Sequence, residues 1–139
     1  LDNAFQCFIH RFPSYFYNDD YKTDATQFLM KLKEEQLDDV FQFFINRLSD
    51  EKEHQDNRRK CAELLGKLSM KWNEKQLNDA FNSLKDMFKK DYDRTYREAL
   101  ETITVKLSGK QFDNAFNYFI SRFNDKEIYM YNDKYADLL

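Results

Sequence analysis

Four stretches of this chain match almost residue for residue: Leu1-Asp-Asn-Ala-Phe5, Leu37-Asp-Asp-Val-Phe41, Leu77-Asn-Asp-Ala-Phe81 and Phe112-Asp-Asn-Ala-Phe116. An internal repeat of this length constrains a fold more than composition does. Each copy is one supersecondary unit that cannot bury its apolar face alone and must lean on its neighbours. Every copy continues with apolar positions at helical spacing. In the second these are Leu37, Val40, Phe41, Phe44, Ile45 and Leu48; in the fourth, Phe112, Ala115, Phe116, Phe119, Ile120 and Phe123. Offsets of 3, 4, 7, 8 and 11 residues place them on one stripe of a helix, helix A.

A second apolar helix, B, leads into each later copy of A. It carries Ala25, Phe28, Leu29 and Leu32, then Leu65, Leu68 and Trp72, then Leu100, Ile103 and Leu107. The step from Tyr21 to Leu37, from Cys61 to Leu77 and from Tyr96 to Phe112 is 16 residues each time, whereas the A-to-B connection varies in length. Stacked hairpins tolerate insertions at one turn when packing fixes the other. The repeats therefore divide the chain at about 1–36, 37–76, 77–111 and 112–139, read as a single helical-repeat domain. Ala136-Asp137-Leu138-Leu139 aligns with Ala62-Glu63-Leu64-Leu65, so the last copy is truncated within helix B.

Composition agrees with an all-α fold. Only 2 glycines and 1 proline occur in 139 residues, too few for the tight turns a sheet protein of this size needs. Apolar residues at 42% exclude a chain disordered throughout. Cys7 and Cys61 make no disulfide framework and no CxxC pair, and no apolar run reaches the ~18 residues of a membrane span. A reducing, cytoplasmic setting without a membrane span is expected. The chain opens at Leu1, directly on the apolar stripe and without Met or an apolar leader. It is therefore expected to be part of something longer, its ends covered by further repeats, another domain or a partner chain.

The run Asp56-Asn57-Arg58-Arg59-Lys60-Cys61-Ala62-Glu63-Leu64-Leu65-Gly66-Lys67-Leu68 resembles the second helix of HEAT-like repeats. Asp56, Arg59, Ala62, Leu65, Gly66 and Leu68 match that pattern, and Arg58 replaces its usual valine. Asp91, Arg94 and Leu100 match in the third copy, where Glu101 stands at the glycine position; Asp19 stands at the arginine position of the first. The resemblance implies a right-handed α-solenoid of about three and a half hairpins, with the B helices lining a concave face. The string from Trp72 to Phe81 is also similar to repeat arrays in effectors of intracellular bacteria that infect amoebae, which would imply the host cytosol.

Local signals have structural readings first. Asn73-x-x-Gln76 and Ser108-x-x-Gln111 are expected capping boxes, with Lys33 in the cap position ahead of Gln36. The pairs Asp2/Asn3, Asp38/Asp39, Asn78/Asp79 and Asp113/Asn114 are placed in the first turn of helix A, where negative charge suits the helix dipole. Lys31, Lys71 and Lys106 are placed at the end of helix B, at the opposite pole. Trp72 is read as a core residue, His10 and His54 as surface, and the two cysteines as packing residues.

Eight of nine tyrosines fall in the A-to-B turns or at the start of helix B: Tyr15, Tyr17, Tyr21, Tyr92, Tyr96, Tyr129, Tyr131 and Tyr135. They either seal the ends of the core with their hydroxyls in water, or line an edge that contacts a partner. No nucleophile–base pair, phosphate loop or HExxH sequence appears, and no cofactor is expected. The expected function is a non-enzymatic protein-binding scaffold. Its candidate contacts are Lys60, Glu63, Lys67, Glu98 and Thr102 on the concave face, with Tyr15, Tyr17, Tyr21, Tyr92, Tyr96, Tyr129 and Tyr131 along the turns. Two alternatives stay open: a HEAT-like nucleic-acid binder and a self-assembling module. A net charge of −3 argues against the first, although Arg58-Arg59-Lys60 and Lys89-Lys90 are local basic clusters.

Overall fold

Amphipathic periodicity and good caps produce short helices here, and burial holds them in place. The computed structural model describes Gln27 and residues 29–122. Five α-helices have both ends among the described residues: α1 (Glu34–Ser49), α2 (Gln55–Lys67), α3 (Glu74–Lys90), α4 (Arg94–Thr104) and α5 (Gly109–Arg122). A single 3₁₀ turn, Ser69–Lys71, follows α2, and no strand occurs among the described residues. α1, α3 and α5 contain the sequence matches that begin at Leu37, Leu77 and Phe112, the A segments, and α2 and α4 contain the B segments between them. The first A helix, most of the first B helix, Cys7, His10 and the truncated last B helix lie outside the described residues. Among the described residues no helix is long and apolar enough to cross a membrane.

The caps follow the sequence in part. At Asn73 the box is complete: Asn73 Oδ1 accepts from the Gln76 amide at 2.8 Å, and Gln76 Oε1 accepts from the Asn73 amide at 3.0 Å. At Lys33 only half is made, with Gln36 Oε1 accepting from the Lys33 amide at 3.1 Å, because an ammonium offers no acceptor. The Ser108 hydroxyl donates to Glu74 Oε1 at 2.9 Å, tying the start of α5 to the start of α3. Gly109, at φ +54°, opens α5 in a conformation that suits glycine. The acidic pairs sit about one turn further in than expected. Glu34, Glu35 and Glu74 occupy the first turns, while Asp38 accepts from Gln76 Nε2 at 3.0 Å and links α1 to α3.

The buried stripe of α1 is Leu37, Val40, Phe41, Phe44 and Leu48, and that of α3 is Leu77, Ala80, Phe81, Leu84, Met87 and Phe88. These meet Cys61, Ala62, Leu64 and Leu65 of α2 and Tyr96, Ala99, Leu100 and Ile103 of α4 in one core. Each fully buried Leu or Phe removes enough apolar area from water to contribute roughly 1.5–3 kcal/mol. The helices pack as α1 on α2, α3 on α4, α1 on α3, and α2 on α4. Type therefore meets type: A beside A and B beside B. α5 rests on α4 and meets α3 through Tyr118 and Phe119, whose rings stand edge-on to Phe81 at 5.9 and 6.4 Å.

Both B helices are shorter than the periodicity predicts. α2 ends at Lys67 and α4 at Thr104, so Trp72 and Leu107 are buried just beyond the helices. Lys71 and Lys106 likewise follow the helices they were placed within. Trp72 Nε1 donates to the Leu65 carbonyl at 2.9 Å and its ring stands edge-on to Phe41 at 5.1 Å. That bond satisfies a buried donor and folds the chain back under α2.

Candidate partner-binding groove between the B helices

The side-by-side packing of α2 and α4 is tightest at Gly66. A Cβ there would lie 3.2 Å from Ala99 Cα and 3.4 Å from Ala99 Cβ, so a larger residue would push the helices apart. Close approach of small residues leaves a groove of about 490 Å³ along the pair. Gly66 and Ala99 lie at its base, Glu63, Lys67, Glu98 and Thr102 line it, and Met70 and Lys106 stand where the helices end. Glu63, Lys67, Glu98 and Thr102 are thus brought together on one surface. Lys60 lies one turn earlier on α2, its ammonium 3.9 Å from Glu63.

The acids of the groove have basic neighbours. Glu63 pairs with Lys67 at 3.3 Å, and Glu98 accepts from Arg94 Nε at 2.7 Å. The Thr102 hydroxyl donates to the Glu98 carbonyl at 3.0 Å. No group of three or more His, Cys, Asp or Glu side chains among the described residues could hold a metal ion.

A second feature joins successive hairpins. Arg59 on α2 donates through Nε to Asp91 Oδ2 and through Nη2 to Asp91 Oδ1, each at 3.1 Å, with Asp93 at 3.4 Å. These aspartates lie in the turn between α3 and α4. The Arg59 hydrogen bonds hold the Asp91 carboxyl below the usual carboxylate range, and the Asp91 bond raises the guanidinium. Arg59 and Asp91 both belong to the HEAT-like match, yet their pairing across copies could not be read from either segment alone.

The tyrosines divide. Tyr92 is exposed, stacked on Phe88 at 4.5 Å with the Arg122 guanidinium 4.9 Å from its ring centre. Tyr96 is 0% exposed, which removes it from any contact edge. Burial pushes its phenol up to about 12, helped by the nearby Asp91 charge. The sequence held the signal: Tyr96 aligns with Cys61, also 0% exposed, and stands 4 and 7 residues before the core positions Leu100 and Ile103. Tyr15, Tyr17, Tyr21, Tyr129 and Tyr131 lie outside the described residues. Burial likewise pushes the Cys61 thiol up to about 12, which keeps it protonated and unreactive. His54 caps α2, its Nδ1 accepting from the Asp56 amide at 3.1 Å.

The residues that sequence reasoning missed are Ala99, Met70 and Lys106. Ala99 reads as an ordinary helix former until Gly66 is seen against it, and Met70 and Lys106 follow their helices rather than lying on a helical face. Comparison of the chain with protein-family models, with curated proteins and with solved structures gives no match.

Proposed function

We propose that this chain is a non-enzymatic protein-binding scaffold, built of HEAT-like hairpins stacked as a right-handed α-solenoid, whose B helices seat a segment of a partner protein. The observation that carries the reading is the groove between α2 and α4, with Gly66 and Ala99 at its base and Glu63, Lys67, Glu98 and Thr102 on its walls. The packing of A on A and B on B supports the stacked arrangement, because a repeated hairpin that leans on the next makes those contacts. Exposed Tyr92 extends the surface at the turn, where an amphipathic ring suits an interface. A reducing, cytoplasmic setting belongs to the same proposal, supported by the unpaired, buried Cys61.

The nucleic-acid reading draws less support. Of the Arg58-Arg59-Lys60 cluster, Arg59 is held by Asp91 and Asp93 and Lys60 stands beside Glu63, so little charge is left for phosphates. The test is affinity capture from lysate followed by mass spectrometry, comparing the chain with a Lys67→Glu/Thr102→Glu variant of unchanged helical content. Selective loss of a reproducible set of proteins is expected. Identical capture by both removes the groove as the binding surface. A salt-dependent shift of duplex DNA by the unaltered chain would favour the nucleic-acid reading instead.

A further inference from the structure

Three of the exposed large apolar side chains, Met30, Met70 and Val105, occupy one position of the repeat, 9 residues after Tyr21, Cys61 and Tyr96. Met70 is 56% exposed and Val105 54%. Their neighbours on the N-terminal side, Leu29, Ser69 and Thr104, are fully or almost fully buried, so this position is turned outward each time by its surroundings. A lysine follows in every copy: Lys31, Lys71 and Lys106. A lysine at a helix C-terminus is accounted for by the helix dipole; an exposed Met or Val beside it is not.

The structure brings the apolar and basic features together in one place. Met70 of the second B unit and Lys106 of the third line the same end of the α2–α4 groove. Within that groove Glu63 and Glu98 already have Lys67 and Arg94 beside them, whereas Lys106 makes no ion pair among the described residues. The charge left over is positive and stands next to exposed apolar surface. Lys71 belongs elsewhere, in a second hollow with Glu34, Glu35 and Asp38.

We infer that the segment seated here is acidic and carries apolar residues at every third position, its apolar side chains resting on Met70 and Val105 and a carboxylate meeting Lys106. This rests on the protein-binding reading and names the chemistry of the partner. The spacing comes from geometry. Packed helices lie about 8–10 Å apart, and a polyproline II chain has three residues per turn and advances about 3.1 Å per residue, so every third side chain returns to the same face about one B unit further on.

A fluorescently labelled peptide of four Asp-Glu-Leu repeats, followed by anisotropy, tests this. Saturable binding is expected, weakened about two- to fivefold by Lys106→Glu, which removes an exposed charge contact, and by a similar factor by Met70→Ser, which removes apolar contact area. Lys75→Glu, whose side chain is 88% exposed on α3, is expected to leave binding unchanged, and circular dichroism confirms that each variant is folded. No saturation, equal affinity for a Lys-Lys-Leu peptide, or indifference to Lys106→Glu overturns the inference. So does flotation with phosphatidylserine vesicles when the peptide is ignored. If the peptide fails while lysate capture still depends on Lys67 and Thr102, the acidic segment alone is wrong; if both fail, the scaffold reading falls too.

Discussion

Removing the Arg59 guanidinium should loosen one hairpin from the next without touching the core. Two hydrogen bonds of 3.1 Å join Arg59 to Asp91, and the side chains are 31% and 20% exposed. That places the pair between a surface ion pair, worth roughly 0.2–1 kcal/mol, and a buried charge-assisted contact, worth roughly 1.5–3. A coupling of about 1–1.5 kcal/mol follows for the forked geometry. Arg59→Ala should cost about 2 kcal/mol, because it also leaves Asp91 and Asp93 facing each other, and Arg59→Lys about 1, since an ammonium cannot make both bonds. Urea unfolding of Arg59→Ala, Asp91→Ala and the double variant, followed by circular dichroism, gives the coupling directly. The folded carboxyl of Asp91 titrates below its unfolded value, so the contribution is fully present above that unfolded value and fades as pH falls through the folded one. Additive single losses at pH 7, or a coupling that persists in strong acid, would refute the reasoning.

Gly66→Leu should cost about 2 kcal/mol by forcing α2 from α4, whereas Gly66→Ala, which gains about 1 kcal/mol of helix propensity against a 3.2 Å contact, should stay within about 1 kcal/mol of the parent; thermal melts of the two variants separate the terms. Tyr96→Phe should be neutral or stabilising by up to about 1 kcal/mol, because the buried hydroxyl has no hydrogen-bond partner among the described residues, and a clear loss in a urea titration would show that it has one. In a Cys7→Ser background the remaining thiol, Cys61, should resist a thiol reagent at pH 8 until the chain unfolds. Fast labelling of the folded protein would contradict its burial.

Helix positions were legible because the repeat shows the same apolar stripe several times over, and Phe41 and Phe81 lie in the core where it places them. The Asn73 cap was legible for the same reason: its partners are three residues apart. What could not be read depends on contacts between copies. The Ser108 hydroxyl has the spacing of a cap, but it donates its hydrogen bond to Glu74, 34 residues away. Tyr96 is polar at its tip, and only its place on the stripe says that the ring points inward. The groove needed both Gly66 and Ala99, neither informative alone. Four of the five proposed B-face residues meet there because they share a helical face, and Lys60 lies one turn away.

Cross-linking reports on the packing of B beside B more directly than any binding assay. In a background lacking Cys7 and Cys61, Gly66→Cys paired with Ala99→Cys puts two thiols where the Cβ separation is 3.4 Å, close to the roughly 3.8 Å of ordinary disulfides. Mild oxidation should close this bond within one chain in high yield, giving a faster band on a non-reducing gel and a higher melting temperature. Thiols that stay free, or link only between chains, would mean that α2 and α4 do not lie side by side.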